Sequence, residues 1–273
     1  MGLCVSTTSA TTTNAPTNLS DNKRKSEQNN PVSKEEKRTV STSRKTDLAL
    51  TPEPLESRVV TTFSADRTIE ASKTLSEEDM PVFTGPTEKA CFGAGCYWGT
   101  EKYFRYNFQK KFPKLGKISK GAVGFMGPES APENPSYRQV CNGDTGHVEV
   151  YNFEYYGGNE YFEALVRYFF QFHDPTTLNR QGNDRGTQYA SVIYCYTDDQ
   201  YEIATKVKKE LQHLVSIKRL GKVYQSSTVA TDIRRSTIFY PAHEEHQDYL
   251  TINPNGYCNH RMRFNDWPED VYD

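Results

Sequence analysis

The segment 91–100 combines the residue types best suited to covalent chemistry in this chain. An apolar run with strand character ends in Gly-Ala-Gly, and Cys96 follows at once, ahead of Tyr97, Trp98 and a run with helical spacing. We predict that Cys96 lies in the first turn of a helix, where unpaired backbone N–H groups and the positive end of the helix dipole favour a thiolate. Because the thiolate is the nucleophilic form of cysteine, Cys96 is a candidate nucleophile. Tyr97 and Trp98 would form an aromatic wall that suits a small uncharged group better than a peptide carbonyl.

A second polar cluster, at residues 146–149, opens a predicted strand. In strand geometry His147 and Glu149 share a face. Burial favours the neutral form of a carboxyl group, and a neutral carboxyl is suited to donate a proton. On this pattern alone Glu149 is explained as well by a satisfied structural role, so both interpretations stay open at this point.

Three more polar residues lie near predicted loop ends. The segment 183–189 runs from a loop into a strand, a junction that places side chains at the rim of a sheet. Asp184 is nevertheless explained as well by a turn, and Tyr189 by a place in the core. Tyr137 follows a loop that contains proline, and its spacing assigns it no role.

The remaining cysteines and histidines indicate no metal site. The segment 243–246 places two histidines three residues apart, whereas a zinc-protease helix needs four, so we interpret it as a solvated helix end. No pair of cysteines has Cys-x-x-Cys spacing. Cys91 and Cys195 lie in apolar runs and are expected to be inert, and Cys141 is ambiguous. Cys258 lies in an irregular tail rich in Gly, Pro and Asn, from which a flexible segment can bring its thiol to another site, as a resolving cysteine must.

The composition divides the chain into two parts. Residues 1–82 contain one aromatic residue, Phe63, and are dominated by Ser, Thr, Pro, Lys and Glu, whereas the rest is rich in aromatic residues. We therefore predict a disordered Ser/Thr-rich tail over 1–87 and one folded domain over 88–273, which contains the candidate nucleophile. With 33 Lys and Arg against 35 Asp and Glu, the chain has no basic excess, so nucleic acid is not an expected partner.

The expected location follows from the absence of apolar spans. No run of 18 apolar residues and no signal-peptide pattern occurs, so we expect a cytoplasmic protein with its cysteines reduced. The first six residues fit the myristoylation pattern at Gly2, and Cys4 is a candidate for palmitoylation. Together the two chains would attach the protein peripherally to a membrane, but a match this short is also common by chance.

Strand-like and helical segments alternate in the second part of the chain. Period-two and apolar runs predict strands at 89–94, 122–125, 147–155, 189–196 and 223–231. Helical spacing predicts helices at 98–108, 160–172 and 200–215, the last capped by Asp198 and Asp199, and a short helical run after residue 241. We predict an α/β (α+β) fold, a two-layer, ferredoxin-like sandwich of a mixed sheet with flanking helices, ending in a long irregular tail.

Seven segments of the chain, in order, resemble the motifs of the A-type methionine sulfoxide reductases, the peptide-methionine (S)-S-oxide reductases. They are 95–99, 134–137, 145–149, 173–176, 181–189, 242–247 and 256–258. The resemblance extends from about residue 89 to about residue 267, nearly all of the predicted domain. Tyr97 stands where the family usually has Phe. No cysteine follows Cys258, so the second recycling cysteine of some members is absent.

The resemblance implies reduction of the S epimer of methionine sulfoxide, free or in oxidised proteins, without a metal or organic cofactor. It implies that Cys96 attacks the sulfoxide sulfur while Glu149 donates a proton to the sulfoxide oxygen. Tyr137 and Tyr189 would hold that oxygen by hydrogen bonds.

The resemblance also assigns the supporting roles. Tyr97 and Trp98 would receive the methyl group, Asp184 would orient the polar network, and His147 is a weaker candidate for that task. Cys258 would attack the Cys96 sulfenic acid, and thioredoxin would reduce the resulting disulfide. We expect a monomer.

Two alternatives belong to other functional classes. A papain-like cysteine hydrolase shares the Gly-x-Cys-x-Trp pattern and predicts a Cys–His pair, which the glutamate and tyrosine candidates do not favour. A lipid-anchored protein that binds oxidised methionine without turnover would not need Cys96, Glu149 and Cys258 together.

Overall fold

The computed structural model describes residues 80–269 and residue 271. The predicted N-terminal tail lies outside these residues except for 80–87, and so do the two candidate acylation sites, Gly2 and Cys4. Within the described part, no helix combines the length and the apolar character that crossing a membrane requires.

A six-stranded sheet forms the centre of the domain. The strands along the chain are β1 (Glu88–Ala94), β2 (Lys117–Met126), β3 (Val148–Tyr156), β4 (Arg180–Gln181), β5 (Asp184–Arg185), β6 (Ser191–Cys195), β7 (Asp232–Arg235) and β8 (Phe239–Pro241). The sheet order is β7-β6-β1-β3-β2-β8, and all neighbours are antiparallel except β6 and β7. Strands β4 and β5 pair separately.

Helices cover one face of this sheet. They are α1 (Tyr97–Lys102), α2 (Gln109–Lys111), α3 (Tyr137–Asn142), α4 (Gly158–Phe172), α5 (Asp198–Ser216) and α6 (Tyr249–Ile252), with a π-helical segment, Tyr103–Phe108, joining α1 to α2. The four strands in the order β6-β1-β3-β2, with α1 and α4 as connections, form the ferredoxin-like arrangement. The predicted fold class, a two-layer sandwich of a mixed sheet and helices, is confirmed.

The aromatic core fixes the strand that leads to Cys96. The Phe92 ring on β1 lies 4.6 Å from Phe104 in the π-helical segment and 5.3 Å from Phe169 on α4, measured between ring centroids. All three rings are fully buried. Burying each such ring contributes about 1.5–3 kcal/mol, so the packing holds the end of β1 and the start of α1 in one rigid corner.

The predicted strand at 223–231 is wrong. This segment is irregular, and the strand beside β6 is β7, which begins at Asp232. Its backbone N–H groups bind side chains instead of a neighbouring strand: Gln225 N–H donates to Asp174 and Val229 N–H donates to Gln212. The apolar residues that suggested a strand, such as Val229, enter the core singly from a loop.

Smaller differences concern the ends of elements. Helix α5 is capped by Thr197, whose hydroxyl accepts from Gln200 N–H at 3.2 Å, whereas the predicted caps Asp198 and Asp199 lie in its first turn. Strand β2 extends over Lys117–Met126, well beyond the predicted four residues. The predicted helical run after residue 241 is a 3₁₀ turn, Glu244–His246, followed by α6.

Candidate active site

Cys96 lies at the corner between β1 and α1, where the sequence predicts it. It is the N-cap residue of α1, and its side chain is 7% exposed. The preceding Gly95 has φ +96°, and a Cβ at this position would lie 2.4 Å from the Gln181 Cβ. Only glycine tolerates both that backbone angle and that contact. Gly95 therefore allows the chain to turn sharply enough to bring the sulfur inside the domain.

The predicted stabilisation of a Cys96 thiolate is wrong. Burial raises the pKa of the Cys96 thiol well above its usual range, and the nearby Glu149 carboxylate raises it further. A hydrogen bond from the Trp98 backbone opposes this shift but does not reverse it. Removing the sulfur from water disfavours its charged form by more than the helix terminus favours it. In the free site, Cys96 is therefore a thiol at neutral pH.

Glu149 reaches the same corner from β3 and is 2% exposed. Its Oε2 accepts a hydrogen bond of 3.2 Å from the backbone N–H of Tyr97, the residue next to Cys96. Burial raises the pKa of Glu149 to about 8, although the bond from Tyr97 opposes the shift and the Asp184 carboxylate adds to it. At neutral pH this carboxyl group therefore carries a proton beside the thiol.

Two tyrosine hydroxyls lie near enough to this pair to interact with it electrostatically. Tyr137 is the first residue of α3, which Ser136 caps, and Tyr189 ends a 3₁₀ turn, Thr187–Tyr189, that precedes β6. The pKa of each hydroxyl is raised first by burial and then by the Glu149 carboxylate, and Cys96 acts on both. Both hydroxyls therefore keep their protons and are available as hydrogen-bond donors near the sulfur and the carboxyl.

An aromatic wall borders the site. The Trp98 ring stacks on Tyr249 of α6 at 3.8 Å and on His246 at 5.7 Å, and His246 stacks in turn on Tyr137 at 4.8 Å. Tyr97 turns toward the core, 5.9 Å from the Phe125 ring, and is 1% exposed.

His246 and Tyr249 belong to the site, although neither was among the predicted site residues. The spacing in 243–246 predicted a solvated helix end, but the His246 side chain is only 12% exposed and lies among the aromatic rings of the site. Burial lowers its pKa, so the ring is neutral at neutral pH. The family-like segment 242–247 was the available signal. In the described part of the chain, no group of three or more His, Cys, Asp or Glu side chains could hold a metal ion.

His147 is not brought into this cluster. It immediately precedes β3, and its ring packs edge-on against Tyr240 at 5.7 Å. It lines a neighbouring cavity of about 340 Å³, whose lining contains neither Cys96 nor Glu149.

Asp184 binds the C-terminal segment that carries Cys258. Its two carboxylate oxygens accept hydrogen bonds from the Tyr257 hydroxyl at 2.9 Å and from Asn259 Nδ2 at 2.7 Å. Asn259 Nδ2 also donates to the Gln181 carbonyl at 2.6 Å. Burial raises the pKa of Asp184 while the two hydrogen bonds lower it. The residue thus fixes the irregular segment in place beside the site.

Cys258 is half-buried within this segment and is a free thiol. Its sulfur lies 3.9 Å from His260 Nδ1, and the His260 ring packs against Gly99 in the helix that Cys96 caps, so the two cysteines belong to one corner of the fold. The structure therefore brings together Cys96, Glu149, Tyr137, Tyr189, Asp184 and Cys258 around one corner of the sheet, with Trp98 on the apolar side.

Comparisons with known proteins agree with this geometry. The sequence model of the family described as peptide methionine sulfoxide reductase matches residues 88–268. The mitochondrial peptide methionine sulfoxide reductase of Rattus norvegicus is 41% identical over 176 residues, covering 64% of this chain and 69% of the relative. The peptide methionine sulfoxide reductase MsrA of Corynebacterium kroppenstedtii is 41% identical over 166 residues, covering 61% and 70%.

A solved structure shares the fold. The crystal structure of reduced Mxr1 from Saccharomyces cerevisiae aligns with a TM-score of 0.55 and 34% identity, covering 65% of this chain and 93% of that one. Together, the sequence match over 88–268 and the shared fold show that this chain belongs to the peptide methionine sulfoxide reductase family.

Proposed function

We propose that this chain reduces the S epimer of methionine sulfoxide, free or within oxidised proteins, by a thiol-dependent route. The observation that carries the proposal is the buried Cys96 thiol beside Glu149, whose pKa of about 8 keeps its carboxyl protonated at neutral pH. The hydroxyls of Tyr137 and Tyr189 adjoin this pair. The site thus offers a nucleophile, a proton donor and hydrogen-bond donors around one small polar oxygen, which a sulfoxide presents.

The first step oxidises Cys96. Its sulfur attacks the sulfoxide sulfur, Glu149 protonates the sulfoxide oxygen, and the oxygen passes to Cys96 as the substrate sulfur–oxygen bond breaks. The thiol proton replaces the proton that Glu149 gave up, so one thiol and one sulfoxide yield one sulfenic acid and one thioether. The substrate sulfur is reduced by two electrons and Cys96 is oxidised by two.

The aromatic wall selects the substrate. A methyl group of the sulfoxide would pack on Trp98 and His246, while the oxygen turns toward Glu149 and the tyrosines. Because the sulfoxide sulfur is a stereocentre, only one epimer can place its methyl group on this wall and its oxygen at Glu149 while the rest of the substrate faces solvent.

The second step regenerates the site. The Cys258 thiol attacks the sulfenic sulfur of Cys96, water leaves, and a Cys96–Cys258 disulfide forms. Thioredoxin then supplies two electrons by dithiol exchange, and no metal or organic cofactor takes part. Cys258 is half-buried, whereas Cys96 is buried. Thioredoxin can therefore reach the disulfide through Cys258 more readily than it could reach a sulfenic acid on Cys96.

The test separates this proposal from its rivals. Each pure epimer of methionine sulfoxide is incubated with the protein and dithiothreitol, and methionine is measured over many turnovers. The proposal expects turnover of the S epimer only and its loss in Cys96→Ser. Binding without turnover would favour a binding protein, and cleavage of a peptide bond would favour a cysteine hydrolase. The Cys–His pair that a hydrolase needs is not found at Cys96 among the hydrogen bonds of the described residues.

The location and attachment remain proposals that concern the N-terminal region. We propose a cytoplasmic monomer, attached peripherally to membranes if Gly2 and Cys4 carry acyl chains. The intact mass of the protein from its native cell measures both modifications, and the unmodified mass would exclude the attachment.

A further inference from the structure

His260 lies two residues beyond Cys258 and is enclosed by the corner that holds Cys96. Its side chain is 7% exposed, and its Nε2 lies 2.8 Å from the carbonyl oxygen of Ala94, which ends β1. A carbonyl oxygen can only accept a hydrogen bond, so Nε2 must carry the proton of the neutral ring. The other nitrogen, Nδ1, is then left with a lone pair that can accept a proton.

That lone pair faces the thiol of Cys258. The Cys258 Sγ lies 3.9 Å from His260 Nδ1, within reach of a hydrogen bond donated by the thiol. Burial lowers the pKa of His260 to about 4, and the positive charge of Arg263 adds to this effect. The ring is therefore neutral at physiological pH, so its acceptor nitrogen is not already occupied by a proton.

Helix α1 leaves a space for this ring. A Cβ at position 99 would lie 2.0 Å from His260 Nδ1, so Gly99 is required for the ring to occupy its place. The Tyr103 hydroxyl donates to the His260 carbonyl at 3.3 Å, and the rings of Tyr103 and Phe172 lie 6.0 and 5.7 Å from the imidazole. The orientation of Nδ1 toward Cys258 is thus fixed by packing from α1, the π-helical segment and α4.

We propose that His260 Nδ1 accepts the thiol proton of Cys258 as that sulfur attacks the Cys96 sulfenic acid, and that the ring holds Cys258 at the site. The new S–S bond forms as the S–O bond of Cys96 breaks, and the proton returns from Nδ1 to the departing hydroxide as water. Two cysteine sulfurs are thus joined with no outside oxidant. The inference rests on the proposed role of Cys258 as the resolving cysteine.

The buried ring fits a transient rather than a lasting proton. A charged imidazole in this position would be disfavoured by the charge of Arg263, and the described groups that contact the ring, on Ala94, Cys258, Tyr103 and Phe172, include no carboxylate. The proton is therefore passed on at once to the departing hydroxide. This differs from a permanent thiolate–imidazolium pair, in which the charge would be stored.

The test compares His260→Gln with a matched control, His213→Gln, which changes a histidine on α5, a helix that carries none of the site residues. Glutamine can keep the hydrogen bond to the Ala94 carbonyl but offers no basic nitrogen to Cys258. One equivalent of sulfoxide is added to the reduced protein, and both methionine and free thiols are followed after rapid quenching. We expect the usual methionine burst in both variants, but about tenfold to hundredfold slower loss of the two thiols in His260→Gln at pH 7.

The pH dependence separates proton transfer from simple positioning. Without Nδ1, the thiol proton of Cys258 must be removed by solvent base, so the disulfide rate of His260→Gln should rise with pH and approach the wild-type rate in alkaline solution. A defect that is equal at every pH, or no defect, overturns the proposal. Absence of a methionine burst in the wild type would instead overturn the proposed function.

The position of the proton on the His260 ring can also be measured in the wild-type protein, so this test does not depend on whether a variant folds. Nitrogen-15 NMR of the reduced protein distinguishes a protonated from an unprotonated Nδ1 in each histidine. We expect His260 to carry its single proton on Nε2 at neutral pH. A proton on Nδ1 there would overturn the proposal, because that nitrogen could not accept one from Cys258.

Discussion

Replacing Glu149 by glutamine tests the central reasoning about the active site. The amide fills the place of the carboxyl and keeps an acceptor for the Tyr97 N–H, but it is a far poorer acid. With the proton donor lost, we expect the reductase step to slow by about a hundredfold to ten-thousandfold at neutral pH, with substrate binding largely retained.

The structure also predicts how this effect changes with pH. With a pKa of about 8, Glu149 keeps its proton below that pH and loses it above. The protonated fraction falls from roughly nine-tenths at pH ~7 to roughly one-tenth at pH ~9. The ratio of the wild-type rate to the Glu149→Gln rate should therefore be constant at low pH and fall about tenfold between these two values.

The assay is a single turnover in the Cys258→Ser background, so that disulfide formation does not contribute. Enzyme in excess is mixed with a peptide that contains the S-sulfoxide, quenched, and analysed for methionine between about pH 6 and about pH 10. Dividing the two rates at each pH removes the pH effects that both proteins share and leaves the effect of Glu149 ionisation, both on proton donation and on Cys96.

A rate ratio that stays constant up to about pH 9.5 would refute the reasoning. Glu149 would then either hold its proton far more tightly than its surroundings suggest or take no part as an acid. A ratio near one at every pH would show that the proton comes from another group.

The remaining predictions concern the other parts of the cycle. Cys96→Ser should abolish reduction with any reductant, because serine has no sulfur that can take up the sulfoxide oxygen as a sulfenic acid; measurable turnover would contradict the assignment of the nucleophile. Cys258→Ser should keep one stoichiometric burst of methionine and lose thioredoxin-driven turnover, and peptide mapping of the wild type should find Cys96 joined to Cys258; a bond to Cys141 instead, or undiminished turnover, would identify another resolving cysteine. Asp184→Asn should loosen the segment held by Tyr257, by about 1–3 kcal/mol, and iodoacetamide should alkylate Cys258 faster than in the wild type. The Glu149 carboxyl, whose pKa is raised from 4.5 to about 8 on folding, stabilises the fold at low pH and loses that contribution as pH rises through this window. The slope of melting temperature against pH should therefore be flatter in Glu149→Gln, and an unchanged slope would show that the carboxyl is not buried in its neutral form.

Much of this architecture was predictable because it is encoded locally. The apolar run before Gly95, the turn that glycine allows and the helical spacing after it define the Cys96 corner within about ten residues. The order of strands and helices then leaves few ways to pack a ferredoxin-like sheet. The segments that resemble the family predicted Glu149, Tyr137 and Tyr189 as candidate site residues without any knowledge of their contacts.

The secondary-structure prediction was wrong where side chains, and not a neighbouring strand, bind the backbone. The segment 223–231 has the residue types of a strand, yet Asp174 and Gln212 bind its backbone N–H groups. These partners lie far away in the sequence, and no periodicity within the segment reveals them. The position of His147 beside Tyr240 likewise depends on a loop and a strand that meet only in the folded chain.

The chemistry of the site depends on contacts that the sequence does not state. Helix geometry predicts a Cys96 thiolate, but burial raises the pKa of the thiol, and Glu149, which comes from another strand, raises it further once its carboxyl is ionised. The amino-acid sequence by itself determined most of the elements and the corner that holds Cys96, the candidate nucleophile, because backbone preferences and apolar spacing act over short distances. Only the tertiary structure decided the protonation of Cys96 and Glu149, the aromatic wall with His246, and the contact between His260 and Cys258. Desolvation and electrostatic energies are set by which distant residues surround a group, and that surrounding exists only once the chain has folded.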